Sequence, residues 1–201
     1  MARPRGYTRS QLAVLERRLH EPRRFLQVVA GPRQVGKTTL VQQLLENFDR
    51  PSRYATADEP SLRGADWVAQ QWEAARAMAR GAGRGARRDG AVLALDEIQK
   101  VPGWAEAVKR LWDEDTARRL PLRVILLGSA PLLIQRGMSE SLAGRFEVIP
   151  LPHWGFGEMR DAFGWDLSTF LYFSGYPGAA PLVSEPERWR RYVVDSLVET
   201  T

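Results

Sequence analysis

An α/β fold built on a parallel sheet is the class this sequence predicts, and three observations carry it. Five short apolar segments alternate with stretches whose apolar residues recur at helical spacing. One of the five, "AVLALDE" (91–97), is apolar without the alternation of a half-exposed strand, as expected of a central parallel strand covered on both faces. The first, "FLQVV" (25–29), leads through the loop "GPRQVGKTT" (31–39) into an apolar-rich stretch, the order of a strand, a turn and a helix. Such a sheet carries helices on both faces and takes ligands at the carboxyl edge of its strands.

In chain order, Leu12, Leu15 and Leu19 with arginines between them predict an amphipathic helix over 8–19, followed by a buried strand at 25–30. After the glycine loop, Leu40, Val41, Leu44, Leu45 and Phe48 mark one face of a helix that Pro51 must follow. "SRYATA" (52–57) reads as the second strand and 66–80 as a helix, ended by the exposed loop "GAGRGARRDG" (81–90). Gly81, Gly83 and Gly85 superficially resemble a dinucleotide fingerprint, but that motif follows a strand and this one precedes it. The third strand is 91–97. Trp104, Val108, Leu111 and Trp112 then share a helix side, and "RVILLGS" (123–129) and "FEVIPL" (146–151) complete the five strands.

Past 151 the pattern changes. "PHWGFGEM" and "SGYPGAAP" read as loops, with a short helix over 166–173 between them. "EPERWRRYVVDSLVETT" predicts a helix with Trp189, Tyr192, Val193, Ser196 and Leu197 on one face. The division expected is a main domain over 1–151 and a linker with the start of a C-terminal helical segment over 152–201. The apolar stripe needs cover, from further chain or from a partner.

Composition narrows the function classes. With 201 residues, 44% hydrophobic and 26% charged, the chain suits one substantial core of ordinary polarity. No run approaches the length of a membrane span, and "MARPRGYTRS" has no apolar core behind it to make a signal peptide, so a cytoplasmic protein without membrane contact is expected. The absence of cysteine removes disulfides, thiolate metal sites and cysteine nucleophiles together. His20 and His153 lie too far apart in sequence for a local zinc motif, which leaves magnesium on oxygen ligands as the expected metal. The net charge of +5 comes from arginines spread along the chain rather than from a basic run. That spread favours solvated helix faces over a dedicated nucleic-acid surface.

The loop fits G-x-x-x-x-G-K-[ST] at Gly31, Gly36, Lys37 and Thr38. The glycines let successive backbone N–H groups from Gly31, Pro32, Arg33, Gln34, Val35 and Gly36 through Thr39 wrap toward phosphates, proline alone lacking a donor. Lys37 reaches the β- and γ-phosphates and Thr38 offers a hydroxyl to Mg2+. Asp96 ends the most apolar strand and is the candidate metal-side carboxylate. Glu97, one position on, is the candidate that polarises a water for attack on the γ-phosphate. No N-K-x-D guanine signature is present, which favours ATP over GTP. Ser129, closing the fourth strand, and Arg145, at the start of the fifth, are weaker candidates resting on position alone.

Four segments, "VVAGPRQVGKTTL", "LALDEIQKVPGW", "LLGSAPLLIQRGMSESLAGRFEVIPLPHW" and "SGYPG", together resemble the predicted ATPases of the AAA+ superfamily found in many bacteria and archaea. Those proteins join an N-terminal ATPase domain to a C-terminal domain of poorly known function. The resemblance covers nearly the whole chain. It implies a P-loop NTPase fold, three layers α/β/α, with a five-stranded parallel sheet ordered 5-1-4-3-2. It also implies Lys37 and Thr38 as Walker A, Asp96 and Glu97 as Walker B, Ser129 as a sensor, and Arg145 at the place of an arginine finger. The reading that follows is a Mg2+-dependent ATPase coupled to an attached module, a protein client or DNA, assembling with copies of itself. Two alternatives stay open from the residues: a slow switch that holds ATP or ADP, and a DNA-associated module. Most of the seven tryptophans sit at core spacings, which favours packing over base stacking.

Overall fold

The computed structural model describes residues 7–58, 64–81, 90–129 and 141–195. Five strands, β1 (Leu26–Ala30), β2 (Ser52–Thr56), β3 (Ala91–Asp96), β4 (Leu122–Gly128) and β5 (Phe146–Pro150), form one sheet ordered β2-β3-β4-β1-β5. Every neighbouring pair is parallel, so the order 5-1-4-3-2 is that of the sheet read from its other edge. Among the described residues four α-helices precede the last strand: α1 (Gln11–His20), α2 (Lys37–Asn47), α3 (Ala65–Gly81) and α4 (Trp104–Ala117).

The period of two along each strand sorts the core into two layers. Leu26, Val28, Leu93, Leu95, Val124 and Leu126 pack under α3 and α4, against Trp72, Trp104, Val108 and Leu111. Val29, Val92, Ala94, Ile125, Leu127 and Ile149 face the other way, onto Leu15 and Leu19 of α1 and Leu40, Val41 and Leu44 of α2. The central strands are buried along nearly their whole length, which is why they read as apolar runs without alternation.

One polar pair lies inside the first layer. Arg76 of α3 donates through Nε to Asp115 Oδ1 of α4 at 2.7 Å, and Trp72 Nε1 donates to Asp115 Oδ2 at 2.7 Å. Arg76 and Asp115 are almost completely buried, and Arg76 pairs also with Glu73 at 2.5 Å and Glu114 at 3.2 Å, which lie nearer the surface. Burial pushes the Asp115 carboxyl up, while Trp72 and Arg76 act against that shift. At the strands' amino edge Arg23 lies over the Trp112 ring, 3.4 Å from its centroid, and donates to the carbonyls of Leu122 and Trp112. Burial brings its guanidinium down to about 10.

The C-terminal segment departs from the sequence reading. "PHWGFGEM", expected to be loop, starts a helix, α5 (Phe156–Phe163); Glu158 caps it by accepting the Gly155 N–H at 3.0 Å. "SGYPGAAP" likewise contains a 3-10 helix, Pro177–Leu182. The short helix α6 (Leu167–Phe173) is where it was expected, capped by Asp166. In α7 (Pro186–Val193), Trp189 packs on Phe173 with ring centroids 5.1 Å apart, so part of the apolar stripe is covered within the chain. Ser196 and Leu197 lie outside the described residues, as does most of the loop 81–90. Trp154, Met159, Trp165 and Phe173 make a small core of their own beside the sheet. Five tryptophans, Trp72, Trp104, Trp112, Trp154 and Trp165, are buried, in keeping with their core spacing.

Candidate nucleotide site

The loop from Gly31 to Gly36 leaves the carboxyl end of β1, and α2 begins at Lys37. Its shape depends on two residues in the left-handed region, Gln34 (φ 62°) and Gly36 (φ 90°). Gly31 is tight for a different reason: a Cβ there would meet the Leu151 carbonyl oxygen at 2.0 Å. Val35 is buried in the core beneath α2 and anchors the loop, while Pro32, Arg33, Gln34 and Thr38 stay accessible to different degrees. Thr39, in the first turn of α2, is half-buried. The helix start and the wrapped backbone together make an anion-binding shape.

Lys37 is largely buried, and its Nζ donates to the carbonyls of Gly31 at 2.9 Å and Pro32 at 2.6 Å. Burial pushes its pKa down, and the carboxylates of Glu97 and Asp96 act in the opposite sense. Thr38 Oγ1 donates to Asp96 Oδ2 at 2.6 Å, joining the first turn of α2 to the end of β3. β3 stops at Asp96, one residue earlier than the sequence suggested. Glu97 has left the ladder, with φ 53° and ψ 34°, and opens a single 3-10 turn, Ile98–Lys100. Gln99 Nε2 donates to Glu97 Oε2 at 2.5 Å.

Ser129 is brought to the same edge, because β4 pairs Gly128 with Ala30 and so sets Ser129 beside Gly31. Arg145 is not. Its carbonyl accepts the Leu26 N–H at 2.8 Å, at the amino end of β1. Five strand residues, roughly 16 Å at about 3.3 Å each, separate that end from the phosphate loop. There the guanidinium makes a two-pronged pair with Asp113, at 2.8 and 3.0 Å, which holds the Asp113 carboxyl below its ordinary range.

Several residues around the site escaped the sequence reading. Tyr54 Oη donates to Asp96 Oδ2 at 2.6 Å. The Val35 carbonyl accepts from Trp154 Nε1 at 3.0 Å and Arg9 at 3.4 Å, and Arg9 is clasped in turn by both oxygens of Glu158. Tyr192 Oη donates to Gln34 Oε1 at 2.7 Å. All join segments far apart in sequence, and only Glu158, three residues after Gly155, carried a local signal.

The donors fit a hard divalent cation that arrives with phosphate. One hydroxyl and one carboxylate, already hydrogen-bonded to each other, leave most of the coordination to phosphate and water oxygens, the preference of Mg2+. Among the described residues no group of three or more His, Asp or Glu side chains stands ready to hold a metal without such help.

The model of a family described as an AAA domain matches residues 23–160, more than half of the chain. The chain belongs to the AAA domain family. The fold agrees: the chain is similar to the Walker-type ATPase PABY2304 of Pyrococcus abyssi, with a TM-score of 0.57 at 15% identity over 92% of this chain and 70% of that one. It is similar also to the ORC1 protein of Aeropyrum pernix, solved in complex with DNA, with a TM-score of 0.56 at 15% identity over 95% of this chain and 60% of that one. Among curated proteins, uncharacterized proteins of Mycobacterium tuberculosis and Mycobacterium bovis are each 29% identical to it over 143 residues, 71% of this chain. The match spans only 28% of those relatives' length. This AAA domain is thus a P-loop nucleotide-binding fold, and no helix among the described residues is long and apolar enough to cross a membrane.

Proposed function

We propose that this AAA domain binds ATP with Mg2+ and hydrolyses it, passing the change at the phosphate loop to the C-terminal segment and to a partner. The observation that carries this reading is the juxtaposition at the carboxyl edge: Thr38 bonded to Asp96, with Glu97 turned out of the strand beside them. Lys37 and the N–H groups of the loop bind the β- and γ-phosphates. Mg2+ would be held by Thr38 and Asp96 and would neutralise phosphate charge. Glu97 accepts a proton from water as the water oxygen bonds to the γ-phosphorus and the bond to the β,γ-bridging oxygen breaks, leaving ADP and phosphate. Ser129, at the same sheet edge as Gly31, would act as the polar sensor near the γ-phosphate, a role its strand pairing supports. The contacts of Val35 and Gln34 with Arg9, Trp154 and Tyr192 support the coupling, since a loop that tightens on phosphate must carry those partners with it.

A slow switch is the second reading, and the Gln99 to Glu97 hydrogen bond favours it, because the amide occupies one oxygen of the carboxylate that would have to meet the water. Phosphate release, measured alone and with single- or double-stranded DNA, separates the two readings and tests a DNA partner, the setting in which the ORC1 neighbour was solved. For the site itself, Lys37→Ala is expected to weaken ATP binding, and unchanged affinity in calorimetry would remove the loop assignment. Glu97→Gln is expected to keep ATP binding while hydrolysis falls by roughly a hundredfold. Parental turnover in that variant would exclude Glu97 as the water activator.

A further inference from the structure

Asp96 is held from the outermost described strand as well as from α2. Its Oδ2 accepts two hydrogen bonds, from Thr38 Oγ1 and Tyr54 Oη, each at 2.6 Å, and its Oδ1 accepts the Glu97 N–H at 2.9 Å. Tyr54 lies on β2, the edge of the sheet, and pairs with Ala94, two residues before Asp96. The period of two therefore puts its ring on the sheet face from which the Asp96 side chain projects. That ring packs against the apolar layer beneath α2, where Leu40 and Val41 lie. Packing fixes the ring, and the ring delivers the hydroxyl.

We propose that Tyr54 is a positioning residue for the metal-side carboxylate, setting how strongly the site binds the divalent cation of a nucleotide complex. This rests on the ATP reading above. The χ2 torsion of an aspartate is broad and roughly two-fold, so a carboxylate tethered at one oxygen samples many planes. Here the backbone N–H of Glu97 holds one oxygen and two hydroxyls hold the other, leaving a single orientation toward α2. The Thr38 hydroxyl has one proton and two lone pairs, so its oxygen can face a cation while its proton stays on Asp96. Tyr54 adds the second donor, which keeps Oδ2 in place whichever way Thr38 turns. Its effect should therefore be felt with metal present and be slight without it.

Tyr54→Phe removes the hydroxyl and keeps the ring. ATP affinity would be measured by calorimetry for both proteins, once with Mg2+ and once with EDTA, together with Mn2+ binding to the ADP-loaded proteins by electron paramagnetic resonance. The gain in ATP affinity conferred by Mg2+ is expected to fall about tenfold in the variant, the effect of losing one hydrogen bond to a charged group. Affinity in EDTA is expected to stay within about twofold, and Mn2+ binding to weaken in parallel with the Mg2+ effect. Equal losses with and without metal, or an unchanged Mg2+ gain and unchanged Mn2+ binding, would overturn the proposal and leave Tyr54 a core residue. If the parent bound no ATP under either condition, the ATP reading would fail first and this inference with it. A parent that binds ATP with a Mg2+ gain the variant fully shares would sink the role of Tyr54 alone.

Discussion

Two glycines of the phosphate loop are fixed by different physics, and substitution should tell them apart. A Cβ at Gly31 would sit 2.0 Å from the Leu151 carbonyl oxygen, a backbone atom at the end of β5 that cannot swing aside. Leu151 is itself tied to the loop's root, its N–H donating to the Ala30 carbonyl at 2.8 Å. Gly36 has nothing within 4 Å of its added Cβ, but its φ of 90° lies where only glycine is comfortable. Gly36→Ala should therefore cost about 1–2 kcal/mol of local strain, whereas Gly31→Ala must push the loop off β5 and should weaken ATP binding by tenfold or more. Calorimetry on both variants checks this, and a Gly31→Ala protein that binds like the parent would contradict the close packing. The motif spacing singled out both glycines, Lys37 and Thr38 as candidates, and the end of the most apolar strand singled out Asp96 and Glu97. Tyr54 and Tyr192 were not legible, because their hydroxyls act at positions set by register and docking, and Gln99 was not, because only the turn after Glu97 brings its amide back to that carboxylate.

Between α3 and α4, the Arg76 and Asp115 pair is a case where residue type misled and spacing did not. An arginine and an aspartate on amphipathic helices look like solvated faces, yet Trp72 and Arg76, and Leu111 and Asp115, are each four apart and share a buried side. Asp115→Ala would leave the buried Trp72 Nε1 without its acceptor and Arg76 with only Glu73 and Glu114 as carboxylate partners, and is expected to cost about 2–3 kcal/mol in urea unfolding. Replacing both, with Arg76→Met and Asp115→Leu, should recover part of that loss, since apolar side chains fill the space while Glu73 and Glu114 turn to water. A single variant no worse than an ordinary surface change, about 0.5 kcal/mol, would mean that water reaches the pair. In helix α5, too, composition hides the local signal. The glycines of "PHWGFGEM" suggested loop, but Gly155 serves as an N-cap and Glu158 completes it.

At the scale of the molecule, alternation of apolar strands with helices was enough for a parallel sheet, and the family resemblance supplied its order. How the C-terminal segment folds back on the phosphate loop depended on Arg9, Trp154 and Tyr192 meeting across the chain, which alternation cannot convey. The same geometry bears on Arg145. It stands at the amino edge of β1 and β5, a strand's length from the loop of its own subunit, and is braced there by Asp113. A guanidinium so placed can assist hydrolysis only in the site of a neighbouring copy, and such a finger contributes on the order of a thousandfold or more in other phosphoryl-transfer systems. Turnover per molecule is therefore expected to rise with protein concentration. Arg145→Ala should lower hydrolysis while leaving ATP affinity nearly intact, because its cation is not among the groups that cradle the phosphates of its own subunit. Mixing Lys37→Ala subunits with Arg145→Ala subunits should restore part of the activity, one copy lending the intact site and the other the intact arginine. Turnover that does not depend on concentration, with no recovery on mixing, would assign Arg145 to bracing α4 against the sheet through Asp113, and the hydrolytic site would then be complete within one chain.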